Sequence, residues 1–291
     1  MPARQPFTAL CQAVARGPCH GRADLHVHTT ASDGDYAPAE VVDLAGRSGL
    51  AGVAVTDHDT LDGIPPARAA AAGLPLEVIA GVEITAEYQG RDLHMLGYFI
   101  RLDDGPLLAA LARLGEHRAG RFWDMAERLR RCGLVLDDGE LRAVADSGTL
   151  GRRRLAVHLV RTGQAGSVRE AFARYLGDGG RATVPNLRLP LAQAVDLVRG
   201  AGGVAGWAHP SYDCTRQRLV EFRALGLAAV EVDYPGYRPT RARELRAWAA
   251  ELGLAVTGGS DCHGPGHAQR AVGARGVSGA ELAALRQMAS C

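Results

Sequence analysis

Two histidines that alternate with apolar residues, followed closely by an aspartate, are the first side chains in this sequence that suggest chemistry. His26 and His28 alternate with Leu25 and Val27, which is the two-residue period of a strand, so both imidazoles project from one face. A turn-rich segment then brings Asp33 back toward the end of that strand. Two imidazoles and a carboxylate form a ligand set that suits Zn, Mn or Fe. The alternative is a pair of half-exposed histidines on an edge strand, and for such a pair on its own this alternative is favoured. The metal interpretation therefore depends on whether the chain supplies further ligands.

Further side chains of the metal-ligating type occur at the ends of other predicted strands. In a barrel of parallel strands the carboxyl ends share one rim, and active sites of this architecture are built there. Such residues at six predicted strand ends, with few histidines in the predicted helices, indicate a metal site at that rim. The residues are His26 and His28, His58, Glu83, His94, His209, and Asp261 with His263.

Together with Asp33, these nine side chains are too many for a single ion, which takes about four to six ligands. They suit two or three divalent metal ions that share a bridging carboxylate. Three divalent cations and three carboxylates would leave the site about three charges positive, so it would attract a phosphate dianion and lower the pKa of a bound water. This composition favours metal-assisted hydrolysis of a phosphoester over hydrolysis of an amide.

The elements that must position these residues alternate between strand and helix. Seven apolar runs read as strands of mostly parallel type, each followed by a helix, which is typical of the α/β class. We predict an incomplete or seven-stranded βα barrel, with an open doubly wound sheet as the alternative. The predicted strands are the run around Leu25 and Val27, Leu50–Thr56, Leu76–Thr85, Arg91–Ile100, Gly203–Ala208, Leu227–Asp233 and Leu254–Gly259.

Residues 103–183 interrupt this alternation. They carry no strand pattern, are rich in arginine, and show helical patterns at Leu107–Arg131, Leu155–Arg161 and Val168–Leu176. We therefore predict an N-terminal extension (1–21), a barrel domain (22–102 and 184–291) and an inserted helical subdomain (103–183).

The composition excludes several classes of protein. The sequence has no lysine, so all 33 basic residues are arginine, which excludes Schiff-base chemistry and a Walker-type phosphate loop. The formal net charge of +1 argues against a general polyelectrolyte that binds nucleic acid or membrane surfaces. No run of about 18 apolar residues predicts a membrane span. The six cysteines are scattered without a Cys-x-x-Cys pair, which favours a reducing, cytoplasmic location.

Five short motifs, taken in order, resemble those of the PHP superfamily, named for polymerases and histidinol phosphatases. The set runs from Asp24 to Gly264, nearly the whole chain. The resemblance implies a distorted (β/α)7 barrel of the PHP type and a trinuclear centre of Mn, Fe or Zn. The motifs are Asp-Leu-His-Val-His (24–28), Thr-Asp-His-Asp-Thr (56–60), Gly-Val-Glu (81–83), Ala-His-Pro (208–210) and Gly-Ser-Asp-Cys-His-Gly (259–264).

The same resemblance implies how the ligands divide among the metals. One metal would be held by His26, His28, Glu83 and Asp261; a second by Glu83 as a bridge, His94 and His209; and the third by Asp33, His58 and His263. The residues expected to serve catalysis directly are Asp33, His58, Glu83, Asp261 and His263.

The helical insertion resembles the stand-alone branch of the superfamily, which includes 3′,5′-nucleoside bisphosphate phosphatases and a 5′-to-3′ exoribonuclease. Residues 175–179 and Val184-Pro185 support that placement, but Arg154 stands where the branch usually has the histidine of Gly-Arg-Pro-His. The implied activity is removal of the 3′-phosphate of a 3′,5′-nucleoside bisphosphate by metal-activated hydroxide. The alternatives are an exoribonuclease acting on RNA 5′ ends and a non-catalytic metal-binding module. The implied partner is a small phosphorylated nucleotide or a short RNA.

Arg118 and Arg152 are the residues that we expect to bind substrate phosphate, because a guanidinium fork matches phosphate oxygens. Arginine is so frequent in this chain that a solvated surface role is an equal alternative for each.

Several other residues near the motifs receive structural roles. We predict that Asp57 and Asp59 orient neighbouring histidines and that Cys262 is a packed bystander. Asp24 either orients a histidine or begins the first strand. For Trp207, Tyr212 and Tyr234, packing in the core or at the rim is favoured over stacking on a base.

Overall fold

Nine strands are present in the parts of the chain that the computed structural model describes, which are residues 21–145, 150–212 and 214–289. The strands are β1 (Arg22–Val27), β2 (Gly52–Val55), β3 (Glu77–Tyr88), β4 (Arg91–Tyr98), β5 (Leu189–Pro190), β6 (Val204–Trp207), β7 (Ala229–Asp233), β8 (Ala255–Gly258) and β9 (Val277–Ser278).

These strands form one sheet in the order β8-β7-β6-β4-β3-β2-β1-β9, and β5 pairs with β3. β1, β2 and β3 run parallel to one another, as do β6, β7 and β8. The short strands β2 and β6 are buried along their whole length, because helices cover the outside of the sheet and side chains fill its inside. This burial explains why both strands read as continuous apolar runs in the sequence.

The sheet closes into a barrel between β1 and the loop after β8. The His28 N–H donates to the Cys262 carbonyl at 3.0 Å, and the Asp261 N–H donates to the His26 carbonyl at 2.8 Å. Val27 and Cys262 form a parallel bridge between these hydrogen bonds. The predicted α/β class and distorted barrel are therefore confirmed, and closure places two of the histidine and aspartate motifs side by side.

The connection between β3 and β4 differs from the prediction. A tight turn at Gln89-Gly90, with φ of 53° and 75°, joins the two strands directly without a helix. β4 is consequently antiparallel to both β3 and β6. His94 is the fourth residue of β4 and does not lie at its C-terminal end. It still reaches the rim, because the reversed direction of β4 brings the first half of the strand there.

Ten α-helices accompany the sheet within the described residues. Those outside the insertion pack their apolar faces on the barrel, as the buried Val41, Val42 and Ala45 of the first helix illustrate. The helices are α1 (Pro38–Arg47), α2 (Ile64–Ala70), α3 (Gly105–Arg131), α4 (Asp138–Ala145), α5 (Arg152–Arg161), α6 (Val168–Ala171), α7 (Leu191–Gly200), α8 (Arg216–Ala224), α9 (Pro239–Leu252) and α10 (Gly279–Ala289). A π-helix, Phe172–Leu176, continues α6. None of the helices in these parts of the chain is long and apolar enough to cross a membrane.

Helix α3 belongs to two hydrophobic cores. Its first half contributes Leu107 and Leu114 to the core of the barrel, whereas its second half contributes Phe122 and Leu129 to a separate core of the insertion. Helix α4 is absent from the prediction, because it is only eight residues long and offers little periodicity to recognise. The predicted domain boundaries stay a prediction, and of the predicted N-terminal extension only Gly21 lies within the described residues.

Candidate metal centre

The carboxylate of Glu83 lies at the middle of the rim and faces five imidazoles. Its Oε1 atom is 2.8 Å from Nδ1 of His94 and 3.0 Å from Nε2 of His209. Its Oε2 atom is 3.1–3.3 Å from one nitrogen of each of His26, His28 and His58. Each oxygen therefore faces its own group of imidazoles, which is the arrangement of a bridging ligand.

Asp261 completes one of these groups. Its Oδ1 atom lies 3.3 Å from Nε2 of His28 and 3.6 Å from Nε2 of His26. The same oxygen is 3.3 Å from Nδ1 of His263, two positions further along the chain. The loop after β8 thus delivers both an aspartate and a histidine to the centre.

Asp33 approaches from the opposite side of His28. Its Oδ1 atom lies 3.3 Å from Nε2 of His263, 3.8 Å from Nδ1 of His28 and 4.0 Å from Nε2 of His58. With this residue, all nine predicted ligands lie together at one rim of the barrel.

Several buried polar atoms of this cluster have no hydrogen-bond partner in the described parts of the chain. Buried polar atoms are normally paired, so a convergent group of unpaired ones indicates an ion or water that the protein holds. Imidazole nitrogens and carboxylate oxygens are the donor set of Zn, Mn and Fe, and the residues therefore fit divalent metal ions. The unpaired atoms are Nε2 of His26, both ring nitrogens of His28, Oδ1 of Asp33 and Nδ1 of His58.

The charges of the cluster shift the pKa values of its members. Burial favours the neutral imidazole of His28, but the nearby carboxylates of Asp261, Glu83 and Asp33 outweigh burial and raise its pKa to about 10. Burial also opposes ionisation of Asp33 and Glu83, yet the charges of neighbouring imidazoles hold both pKa values well below their usual range. For His58 burial prevails and lowers the pKa to about 3, so that its ring is neutral. The carboxylates are thus ionised and attract positive charge, in agreement with metal binding.

Three non-glycine residues of the rim hold left-handed backbone conformations. The angle φ is 52° at Asp59, 30° at His209 and 51° at Asp261. Each such conformation costs about 1–3 kcal/mol and persists only where surrounding contacts impose it. Their position at the predicted ligands is typical of a functional site.

Among the described residues, the carboxylates of Asp57 and Asp59 accept hydrogen bonds from hydroxyl and backbone amide groups and not from imidazoles. The prediction that they orient histidines is therefore wrong. Asp57 accepts hydrogen bonds from the N–H and the hydroxyl of Thr29, both at 2.7 Å. It thereby fixes the loop that leads to Asp33. Asp59 accepts from the N–H and the hydroxyl of Thr85 at 2.8 and 2.9 Å.

Asp24 ties the first strand to the loops that close the barrel. It is fully buried and accepts the N–H groups of Ser260 at 2.9 Å and Gly273 at 2.8 Å. Burial raises its pKa to about 6, although these hydrogen bonds favour the ionised form. Asp24 is the third residue of β1, so it lies near the start of that strand, as one of the two predictions has it. Its partners among the described residues are backbone amides, including the N–H of His26 at 3.3 Å, and no imidazole is among them.

Glu231 is the histidine-orienting carboxylate that sequence reasoning missed. Its Oε1 atom lies 3.0 Å from Nδ1 of His26, and its Oε2 atom accepts the N–H of His209 at 2.6 Å. The available signal was a glutamate between Val230 and Val232, inside the apolar part of β7.

Tyr234 and Arg270 also contact the centre. The Tyr234 hydroxyl donates to Oδ2 of Asp261 at 2.9 Å, and the Arg270 guanidinium pairs with the same oxygen. Arg270 also donates to the Tyr234 hydroxyl at 2.8 Å. One oxygen of Asp261 is thus occupied by these donors, and the other is left to the imidazoles. No sequence pattern distinguishes Arg270 from the other arginines.

The two predicted phosphate-binding arginines have different surroundings. Arg118 pairs with Asp59, donates to the Thr85 hydroxyl at 3.0 Å and is almost buried, so it lies beside the centre. Arg152 donates to the Asp178 carboxylate at 2.7 Å and to the Leu176 carbonyl at 3.3 Å, both within the insertion.

The next two arginines of α5 hold the Asp33 loop. Arg153 donates to the Asp33 carbonyl at 2.8 Å and pairs with Asp35 at 3.0 Å. Arg154, at the position of the histidine of the related branch, donates to the Ser32 carbonyl at 2.7 Å. The insertion therefore supports the metal centre directly.

The remaining predictions concern packing. Trp207 is buried against Phe222, with ring centroids 4.6 Å apart, and Cys262 is buried with its thiol 3.9 Å from the Gly264 carbonyl. Both are packed as predicted. Tyr212 is 65% exposed and lies outside the core.

Comparisons with known proteins agree with this geometry. The PHP domain model matches residues 24–140. The chain is 34% identical to a 5′-3′ exoribonuclease of Haemophilus influenzae, over 83% of this chain and 90% of that protein. It is also 34% identical to a 3′,5′-nucleoside bisphosphate phosphatase of Chromobacterium violaceum, over 86% of this chain and 90% of that protein. A crystal structure described as a metal-dependent phosphoesterase, from Bifidobacterium adolescentis, matches with a TM-score of 0.85 and 29% identity, covering 91% of this chain and 96% of that one.

The match over most of the chain, together with the convergent cluster of His, Asp and Glu, shows both the family and the general chemistry. The cluster binds divalent metal, and the reaction is hydrolysis of a phosphate ester. The chain belongs to the PHP domain family and is a metal-dependent phosphohydrolase.

Proposed function

We propose that this phosphohydrolase removes the 3′-phosphate of 3′,5′-nucleoside bisphosphates. The observation that carries the proposal is a group of arginines next to the cluster of imidazoles and carboxylates. A substrate with two phosphates would place one at the metals and the other at the arginines. The activity named for the Chromobacterium violaceum relative supports this substrate class.

We propose that Mn, Fe or Zn ions are held by three groups of ligands. Bound there, they would neutralise phosphate charge and supply hydroxide at neutral pH. The facing atoms of each group lie 2.8–4.0 Å apart. The groups are Glu83 Oε2 with His26, His28 and Asp261; Glu83 Oε1 with His94 and His209; and Asp33 with His58 and His263.

Arg118 is suited to hold the second phosphate. Its Nη2 is engaged by Asp59 and Thr85, but its buried Nε has no hydrogen-bond partner among the described residues. Thr85 pairs with His94 across β3 and β4, so the guanidinium lies close to a proposed ligand. A phosphate oxygen at Nε would satisfy this donor.

Three further arginines, Arg121, Arg152 and Arg188, lie in the same part of the molecule as Arg118. Burial and the positive charges of Arg152, Arg118 and Arg188 together lower the pKa of Arg121 to about 10. Cations that repel one another in this way are stabilised by an anion placed among them. This repulsion supports an anion site that also includes Arg152, although Arg152 already contacts Asp178.

The test compares substrates that differ by one phosphate. With added Mn²⁺, we expect kcat/KM for adenosine 3′,5′-bisphosphate to exceed that for adenosine 3′-monophosphate by about 10- to 100-fold, the worth of a hydrogen bond to a charged group. Arg118→Gln should remove this preference and leave the rate on p-nitrophenyl phosphate nearly unchanged. Arg113→Gln, an exposed arginine of the same helix, is the matched control and should keep the preference.

A 5′-monophosphorylated RNA in the same assay tests the competing function. The Haemophilus influenzae relative is named as a 5′-3′ exoribonuclease and is equally similar to this chain. Faster turnover of RNA than of the bisphosphate would make exoribonuclease the main activity. An equal rate on the bisphosphate and the monophosphate would contradict the role given to the arginines.

A further inference from the structure

Glu231 is a carboxylate without solvent exposure in the middle of β7. Burying such a group costs several kcal/mol unless hydrogen-bond donors compensate it. Its two hydrogen-bond donors are Nδ1 of the His26 ring, 3.0 Å from Oε1, and the backbone N–H of His209, 2.6 Å from Oε2. Each oxygen therefore has one donor, and the two donors belong to residues of different proposed metal groups.

The first contact fixes the tautomer of His26. An ionised carboxylate oxygen only accepts, so Nδ1 of the ring must carry the hydrogen. In the neutral ring, the lone pair then lies on Nε2. This atom is the unpaired nitrogen that faces Glu83 at 3.3 Å and Asp261 at 3.6 Å. Glu231 thus makes Nε2 the metal-ligating atom.

The second contact fixes the backbone of His209. This residue has a φ of 30°, which a non-glycine residue adopts only where neighbouring contacts impose it. The hydrogen bond from its N–H to Glu231 is such a contact. It sets the position from which the His209 ring reaches Oε1 of Glu83 at 3.0 Å.

We infer that Glu231 is a positioning residue that prepares two metal sites at once, through the tautomer of His26 and the backbone of His209. The inference rests on the ligand roles given to these two histidines under the proposed function. It predicts that a change at Glu231 weakens metal binding, although Glu231 is not one of the proposed ligands.

Glu231→Gln separates this role from a packing role, because it keeps the volume and removes one acceptor. If the amide oxygen accepts from His209, the amide N–H₂ faces Nδ1 of His26, which must then accept and place its hydrogen on Nε2. If the amide has the opposite orientation, its N–H₂ group faces the backbone N–H of His209, and both of these groups are donors. The first orientation gives His26 the wrong tautomer, and the second disturbs the backbone of His209. In either case one proposed ligand is lost, and we expect Mn²⁺ affinity to fall about 10- to 100-fold.

The experiment measures Mn²⁺ equivalents and affinity in wild type, Glu231→Gln, His26→Ala and Thr257→Val, with circular dichroism of the metal-free proteins to establish folding. Thr257 pairs with Glu231 across β7 and β8 and is equally buried, so Thr257→Val removes a buried polar group from the neighbouring strand. We expect it to bind metal as wild type does.

The outcomes distinguish the inference from the ligand assignment. Loss of metal in both His26→Ala and Glu231→Gln supports the inference. Loss in His26→Ala with wild-type binding in Glu231→Gln overturns the inference alone, whereas unchanged binding in His26→Ala overturns the ligand assignment on which it rests. If Glu231→Gln does not fold, ¹⁵N spectra of Zn²⁺-loaded wild type, assigned with His26→Ala, decide the matter. Zinc bound at Nδ1 of His26 would overturn the inference, and zinc at Nε2 would support it.

Discussion

Glu83→Gln removes one negative charge and one acceptor oxygen from the carboxylate at the middle of the rim. Both oxygens of Glu83 are in use, with imidazole nitrogens at 2.8–3.3 Å on both sides. An amide can offer its oxygen to one side only, so its N–H₂ group would face imidazoles, or a cation, on the other side. Removing one partner of a fully buried charge pair costs about 3–5 kcal/mol. That range corresponds to a loss of metal affinity between about 10²-fold and 10⁴-fold.

The assay is titration of metal-free protein with Mn²⁺, with bound metal counted after gel filtration. Glu87→Gln is the matched control, because Glu87 lies on the same strand and accepts only the N–H of Gly90 among the contacts described for it. We expect the control to bind as wild type does and Glu83→Gln to lose metal from both groups of ligands. If Glu83→Gln bound the same number of ions with an affinity within tenfold of wild type, the bridging role of this carboxylate would be wrong.

Three further changes probe other parts of the centre. Arg270→Met should remove one of the two donors to Oδ2 of Asp261 and weaken Mn²⁺ binding about 10- to 100-fold; an unchanged binding isotherm would exclude this role. Gly259→Ala should place a Cβ atom against the backbone of His26, lowering the free energy of unfolding by about 1–3 kcal/mol and reducing metal content, as urea titration and metal analysis would reveal. Burial and the nearby Arg161 lower the pKa of His158 in the folded protein. Near pH 6.5 this histidine therefore takes up a proton in the unfolded chain but stays neutral in the folded chain. The free energy of unfolding falls as the pH drops below that value, by at most about 1.4 kcal/mol per pH unit. His158→Gln should flatten this part of the urea-unfolding profile between pH 5 and 7, and parallel profiles for the two proteins would contradict the assignment.

The sequence located the metal centre because its ligands follow strand ends. The alternation of His26 and His28 with apolar residues can be recognised from neighbouring residues alone. In a barrel, the carboxyl ends of the parallel strands lie at the same rim, so ligands at those ends come together. The predicted direction of β4 was wrong, but His94 still reaches the rim because it lies in the first half of a strand that runs antiparallel to its neighbours.

What the sequence could not supply are contacts between residues far apart along the chain. Glu231 is one of two acidic residues in β7, and only the folded sheet reveals that it lies beside His26. Arg270 is one of many arginines, and its contact with Asp261 depends on the path of an irregular loop. Asp57 was given the wrong partner because its neighbour in sequence, His58, is not the group that its side chain reaches.

Closure of the barrel between β1 and the loop after β8 has a consequence for biosynthesis. The hydrogen bond from Ser260 to Asp24 joins residues 236 positions apart, and Asp261 meets His26 at the same seam. Because domains are made from the N-terminal side onward, the first histidines leave the ribosome long before Asp261 and His263. A chain that stops before β8 already carries Asp33 and Glu83 but lacks Asp261 and His263, which face His26, His28 and Asp33 in the finished barrel. Two of the proposed ligand groups are therefore completed only when the barrel closes, so such a chain should bind metal more weakly than the full-length protein.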